Sequence, residues 1–150
     1  MMRRPVALLA LCASLVLSTQ ALAAELPQRW VSAGGALSEW ITALGGEARL
    51  VGVDTTSQHP ASLKSLPSVG YQRQLSAEGI LSLRPDVLVG TEEMGPPPVL
   101  AQIRKAGVRV ELFSSKAELA AVDENLKHLG QLLGAEQQAS ALAAGYHQQI

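Results

Sequence analysis

The sequence predicts an α/β fold: a mostly parallel open sheet with flanking helices. Three observations carry that prediction. Short apolar segments alternate with helical ones from about Arg29 onward, the order that builds parallel sheets. Leu50–Val53 and Val87–Val89 carry no polar side chain, as strands buried on both faces do not. Gly45-Gly46, Gly107 and Gly134 each follow a helical segment, where glycine is the favoured residue just past a helix end.

The elements follow in order. Arg29–Ser32 reads as a short strand running into the tight turn Ala33-Gly34-Gly35, which opens a helix over Ala36–Leu44. Leu50–Val53 is the second strand. Asp54 to Leu66 is a polar connection with one helical turn at Ala61–Ser65, between Pro60 and Pro67. Ser68–Gly70 is strand-like and leads into Tyr71. Ser76 is placed to cap a helix over Ala77–Leu83, and Glu78 suits the positive end of its dipole. Arg84-Pro85 stops that helix, because a residue before proline avoids helical backbone. Val87–Val89 is the next strand, and Thr91–Pro98 is a loop at its carboxyl end. Pro97 or Pro98 starts a helix to Ala106. Val108–Phe113 is the last strand. Ser115-Lys116-Ala117-Glu118 has the capping-box pattern for a helix through about Leu133, and a further helix begins at Ala135.

The first residues predict export. Arg3 and Arg4, the apolar run Val6–Leu17 and the small-x-small site Ala21-Leu22-Ala23 form a secretory signal peptide, residues 1–23, cleaved after Ala23. The run is shorter than the roughly 20 residues of a membrane span, so no stable insertion is expected after cleavage. The single cysteine, Cys12, lies in that run behind Leu11, so neither lipid attachment, a disulfide nor a thiolate metal site is expected in the mature chain. Without Arg3 and Arg4, 10 basic residues face 13 acidic ones, a net charge of −3. That balance, with no basic run, argues against nucleic acid as a partner. Ala24 to Ile150 has the size of one domain. It ends inside a helical pattern with no Gly, Asn or Pro stop, so the domain is expected to continue beyond it.

Ligands of an open parallel sheet bind outside the carboxyl ends of its strands. Three segments fall there: Ala33-Gly34-Gly35, Tyr71 with Arg73, and Thr91–Gly95. In extended backbone Tyr71 and Arg73 face one side. A phenol beside a guanidinium is a hard oxygen donor with a cation to stabilise its anion, which suits ferric iron and the iron of haem. Residue type alone favours a plainer reading, a half-buried tyrosine with its hydroxyl in water. Gly34-Gly35 lacks the G-x-G-x-x-G spacing of a dinucleotide site, and there is no P-loop or G-x-S-x-G. His59, His128 and His147 have no second ligand at metal spacing; the first two are expected at the surface. Glu92-Glu93 is a candidate cation binder, though acidic loop pairs are usually only solvated.

The segment Val69-Gly70-Tyr71-Gln72-Arg73-Gln74-Leu75-Ser76-Ala77-Glu78-Gly79-Ile80-Leu81-Ser82-Leu83, followed by Pro85-Asp86, resembles the amino-terminal lobe of the periplasmic haem-binding proteins that feed bacterial haem ABC importers. The resemblance runs from Arg29 to the end, with Gly95-Pro96-Pro97 and Gly107-Val108 in support. Leu83-x-Pro85-Asp86 also occurs in cobalamin- and siderophore-binding relatives; Gly70-Tyr71-x-Arg73 is the part that points to haem.

The resemblance implies a non-enzymatic, two-lobed carrier with haem in the cleft between lobes joined by a rigid helix. Residues 24–134 would be the amino-terminal ligand-binding lobe and 135–150 the start of the joining helix, with the second lobe absent and haem binding correspondingly weak. Tyr71 matches the axial ligand of the ferric haem iron, and Arg73 an arginine that stabilises the phenolate or meets a propionate. Gly34 and Gly35 would line the same rim. Implied partners are an ABC permease with its ATPase, and upstream an outer-membrane haem receptor system. Glu92 and Glu93 are the nearest candidates for permease docking. The alternatives are a siderophore or cobalamin carrier of the same class and, from another class, a tetrapyrrole metal chelatase. The chelatase would need a general base that the tyrosine segment lacks.

Overall fold

The computed structural model describes residues 26–150; the expected signal peptide lies outside them. The order of elements is β1 (Trp30–Ala33), α1 (Gly35–Ala43), β2 (Leu50–Val53), β3 (Gly70–Tyr71), β4 (Gln74–Leu75), α2 (Ala77–Ser82), β5 (Val87–Thr91), α3 (Pro97–Lys105), β6 (Arg109–Phe113), α4 (Leu119–Leu133) and α5 (Glu136–His147). Short 3₁₀ turns cover Glu47–Arg49 and Ala61–Ser65, the second where one helical turn is expected. Four strands form a parallel sheet in the order β2-β1-β5-β6, and β3 and β4 make a separate antiparallel hairpin.

The sheet is covered on both faces, which is why its central strands lack polar alternation. Trp30, Val87 and Val89 pack with Leu37 and Ile41 of α1 and with Leu126 and Leu129 of α4. Their neighbours along the strands, Val31, Ala33 and Leu88, point to the opposite face and pack with Ile80 of α2 and with Leu100 and Ile103 of α3. The period-two split of a strand between two helical layers is what builds the three-layer fold. Asp86 ties its start: one carboxylate oxygen accepts the backbone N–H groups of Gln28 and Arg29, both at 2.9 Å. Asp86 therefore secures the entry to β1, a scaffold task rather than a ligand contact.

Helix α2 starts as expected, with Ser76 Oγ accepting the Gly79 N–H at 3.0 Å. Loss of such a cap costs about 1 kcal/mol. Ser76→Ala is thus expected to lower the urea midpoint by a corresponding amount, and an unchanged midpoint would show that the cap is dispensable. Helix α3 starts on Pro97. The capping-box expectation at Ser115–Glu118 is not met. Helix α4 begins only at Leu119, and neither Ser115 nor Glu118 caps it. Ser115 Oγ instead donates to Glu92 Oε1 at 3.0 Å, a tertiary partner that the local pattern does not contain.

Helices α4 and α5 are joined at Gly134 in left-handed conformation. Helix α5 folds back along α4, placing His147 Nε2 2.8 Å from Asp123, and meets α1 where Trp40 Nε1 donates to the Tyr146 hydroxyl at 2.8 Å. His128, expected at the surface, is half-buried: it stacks on Phe113 with ring centroids 4.5 Å apart and meets Glu111 at 3.0 Å. His59 is exposed, as expected.

Candidate functional site

In the order β2-β1-β5-β6 the connections leave β1 and β5 toward opposite sides, so a crevice opens at their carboxyl ends. A cleft of about 310 Å³ occupies it. Gly34 and Gly35 where β1 passes into α1, Gln72 from the hairpin, Thr91 at the end of β5 and Glu93 just after it lie on its wall. Of the three segments expected to share a rim, the glycine turn and the loop after β5 meet at this cleft; from the third, Gln72 lies on the wall and Tyr71 and Arg73 do not.

The β1–α1 turn is built for close approach. Gly34 has φ +146°, which side chains with a Cβ avoid, and a Cβ on Gly35 would stand 2.8 Å from the Thr56 carbonyl oxygen. Asp54, 2% exposed, holds the turn. Its Oδ1 accepts the Gly34 N–H at 3.0 Å and the Ser57 hydroxyl at 2.7 Å, and its Oδ2 accepts the Thr56 hydroxyl at 2.7 Å. Thr56 Oγ1 in turn accepts the Gly35 N–H at 3.0 Å. Ser38 Oγ lies 2.6 Å from Ser57 Oγ and 2.8 Å from Ser32 Oγ, extending the buried network into β1. Gly35→Ala is expected to push the turn off Thr56 and lower stability by about 1–3 kcal/mol, the usual cost of overpacking. A thermal melt identical to the parent would show that the turn can give way.

Contrary to the expectation from extended backbone, Tyr71 and Arg73 are not neighbours on one strand. Tyr71 ends β3 and Arg73 lies in the two-residue turn Gln72–Arg73, so the extended-chain rule does not apply to the pair. The Arg73 guanidinium is 3.1 Å from Glu93 Oε2, with both side chains about half exposed. Tyr71 is 42% exposed, high for a large ring, and its hydroxyl hydrogen-bonds nothing among the described residues. The hairpin is fastened at several points. Thr55 N–H donates to the Gly70 carbonyl at 3.0 Å, Gly95 N–H to the Gln72 carbonyl at 2.9 Å, and Leu75 N–H to the Gly95 carbonyl at 3.0 Å. An open phenol thus stands on a rigid mount, with the next residue, Gln72, on the cleft wall.

Glu92 and Glu93 are not a free acidic pair. Glu93 meets Arg73, and Glu92 accepts the backbone N–H (3.3 Å) and hydroxyl (3.0 Å) of Ser115. The described residues contain no cluster of three or more His, Cys, Asp or Glu able to hold a metal ion. No helix among them is long and apolar enough to cross a membrane.

Trp40, Phe113, Ser114, Lys116 and Asn125 also line the cleft, and no local sequence pattern marks them as a group. Periodicity assigns the aromatics to the core, where they also belong. Asn125, 8% exposed within α4, is a buried amide in an amphipathic helix, and that was the one local signal available.

The sequence matches the family model for periplasmic binding proteins over residues 31–150. Among solved structures it is similar to a periplasmic haem-binding protein from Pseudomonas aeruginosa, at 69% identity and TM-score 0.81, covering 82% of this chain and 44% of that one. It is also similar to the periplasmic haem-binding protein HutB of Vibrio cholerae, at 43% identity and TM-score 0.76, covering 81% and 47%. A curated relative, the vitamin B12-binding protein of Pectobacterium atrosepticum, is 29% identical over 136 residues, 91% of this chain and 48% of its own. The chain spans about half the length of the curated relatives it matches.

Proposed function

The chain belongs to the periplasmic binding protein family, and we propose that it carries ferric haem in the periplasm, holding the iron through Tyr71 and delivering it to an ABC permease powered by a separate ATPase. The observation that carries this reading is the half-exposed, unbonded phenol of Tyr71 on a hairpin fastened to the cleft. Its support is the likeness to haem-binding proteins at 69% and 43% identity. Export with cleavage after Ala23 places the carrier in the periplasm, and amino-terminal sequencing of the secreted protein tests it: a first residue other than Ala24 would displace the site.

A phenol in water ionises near pH 10. Ligation at neutral pH draws on the iron, whose charge stabilises the phenolate directly. Arg73 adds to this only as far as it leaves Glu93. That ion pair is exposed, and such pairs contribute about 0–1 kcal/mol, so it yields readily to an approaching anion. Arg73→Ala is accordingly expected to weaken haem binding by about threefold while keeping the iron–phenolate absorption; loss of that absorption would make Arg73 indispensable to ligation. Gly34 and Gly35 would line the rim of the ligand site. Acidic residues, Glu92 and Glu93 first among them, would face the permease, and α5 would open the helix that joins a second lobe. An outer-membrane haem receptor system would supply the ligand. The carrier performs no chemical conversion.

The vitamin B12-binding relatives support a second reading, in which Tyr71 is an ordinary cleft residue. Parallel titration of the purified protein with ferric haem and with cobalamin separates the two. Saturable haem binding without cobalamin binding is expected; the reverse would move the assignment to cobalamin.

A further inference from the structure

The wall of the cleft beyond β6 is Ser114, Ser115 and Lys116. These residues contain the start of the capping-box pattern that caps nothing, and other bonds hold them. Asn125 grips Ser114 from both directions: its Oδ1 accepts the Ser114 N–H at 3.0 Å and its Nδ2 donates to the Ser114 carbonyl at 2.9 Å. On the other side Glu92 accepts both the N–H and the hydroxyl of Ser115. A buried amide is tolerated in a helix face only when it is satisfied, and both functions of Asn125 go to positioning this loop.

The loop so held points chemistry at the cleft. Ser114 Oγ accepts the Lys116 N–H at 3.2 Å and keeps its own proton for another acceptor. Lys116 is the cation on the cleft wall, and it forms no ion pair among the described residues, whereas Arg73 is engaged by Glu93. Trp40 and Val122 are partly exposed apolar residues of the same lining. A lining of mixed apolar and polar groups that includes a cation and a hydroxyl with its proton to give fits an apolar ligand that carries a carboxylate.

We propose that Ser114 and Lys116 form a carboxylate subsite that receives one propionate of the bound haem. The proposal rests on the haem reading above and adds what orients the porphyrin once Tyr71 has the iron. Cobalamin, whose corrin side chains are amidated, offers no carboxylate to this subsite.

The test is titration of ferric haem and of its dimethyl ester, in which both carboxylates are blocked, into the purified parent, Lys116→Met and Ser114→Ala. Lys116 is exposed and its charge is screened by water, so Lys116→Met is expected to weaken haem binding about three- to tenfold. The iron–phenolate spectrum and the affinity for the ester should not change. Ser114→Ala should show a smaller loss with the same selectivity for the free acid. Unchanged haem affinity in Lys116→Met, or an equal loss for haem and ester, overturns the subsite and leaves the haem reading standing. A parent that takes up neither ligand overturns both.

Discussion

Tyr71→Phe is expected to abolish the iron–phenolate absorption of the haem complex and to weaken haem binding by about 100-fold or more. Outer partners of metal ligands already cost 10–100-fold when lost, and this substitution removes the proposed ligand itself. The residual affinity would come from apolar burial of the porphyrin in the cleft. The substitution is a clean one because the ring stays and the hydroxyl bonds nothing among the described residues. Stability should therefore change by less than about 0.5 kcal/mol, as at other exposed sites. The measurement is an absorption titration of both proteins with ferric haem, alongside a thermal melt. A high-spin, five-coordinate phenolate spectrum in the parent alone assigns the ligand. Identical spectra in parent and variant would sink the assignment of Tyr71.

Asp54→Ala is expected to carry the largest cost in stability. The carboxylate is 2% exposed and accepts from Gly34, Ser57 and Thr56, so its removal leaves two buried donors, the Gly34 N–H and the Ser57 hydroxyl, without their partner, while the Thr56 hydroxyl can turn to water. Hydrogen bonds to charged groups contribute about 1.5–3 kcal/mol each, with incomplete additivity, which sets the expectation at about 3–4 kcal/mol. That is a large part of the 5–15 kcal/mol by which ordinary domains are stable. Urea unfolding followed by far-UV circular dichroism gives the value. Asp54→Asn, which keeps the shape and one acceptor, should lose about half as much. Haem affinity should fall in both variants, because Asp54 holds the Gly34-Gly35 turn on the cleft wall. A loss below about 1 kcal/mol in Asp54→Ala would mean that the network is not what holds the turn.

Much of the fold is local and was legible. The boundaries of β2 and of the 3₁₀ turn at Ala61–Ser65 are those expected, and β1 and α1 are displaced by a residue or so. Helix α2 has the Ser76 cap, α3 starts on Pro97, and Gly134 separates α4 from α5. Each of these signals acts within a few residues of the atoms it satisfies. The expectations that failed ignored distant partners. Ser115 has a local choice, the first turn of a helix, and a remote one, Glu92, and it takes the remote one. Arg73 looked like a strand residue because its run continues from Tyr71, but pairing of Gly70 with Leu75 makes it a turn. His128 has no sequence neighbour to reveal that Phe113 lies beneath it.

The site divides along the same line. Sequence alone determined the α/β class and the glycine turn at the end of β1, because apolar patterning and backbone freedom are local properties; Tyr71 stood out through the segment that resembles haem-binding proteins, since residue type alone favours a plain surface tyrosine. Tertiary structure alone decided that Gln72 rather than Tyr71 lines the cleft, that Glu92 and Glu93 are engaged, and that Asn125 sets Ser114 and Lys116 against its wall. Those facts depend on which strand ends become neighbours. Burial on both faces of the sheet makes strands of similar apolar character nearly interchangeable in sequence, so only the packed order β2-β1-β5-β6 brings these loops to one crevice.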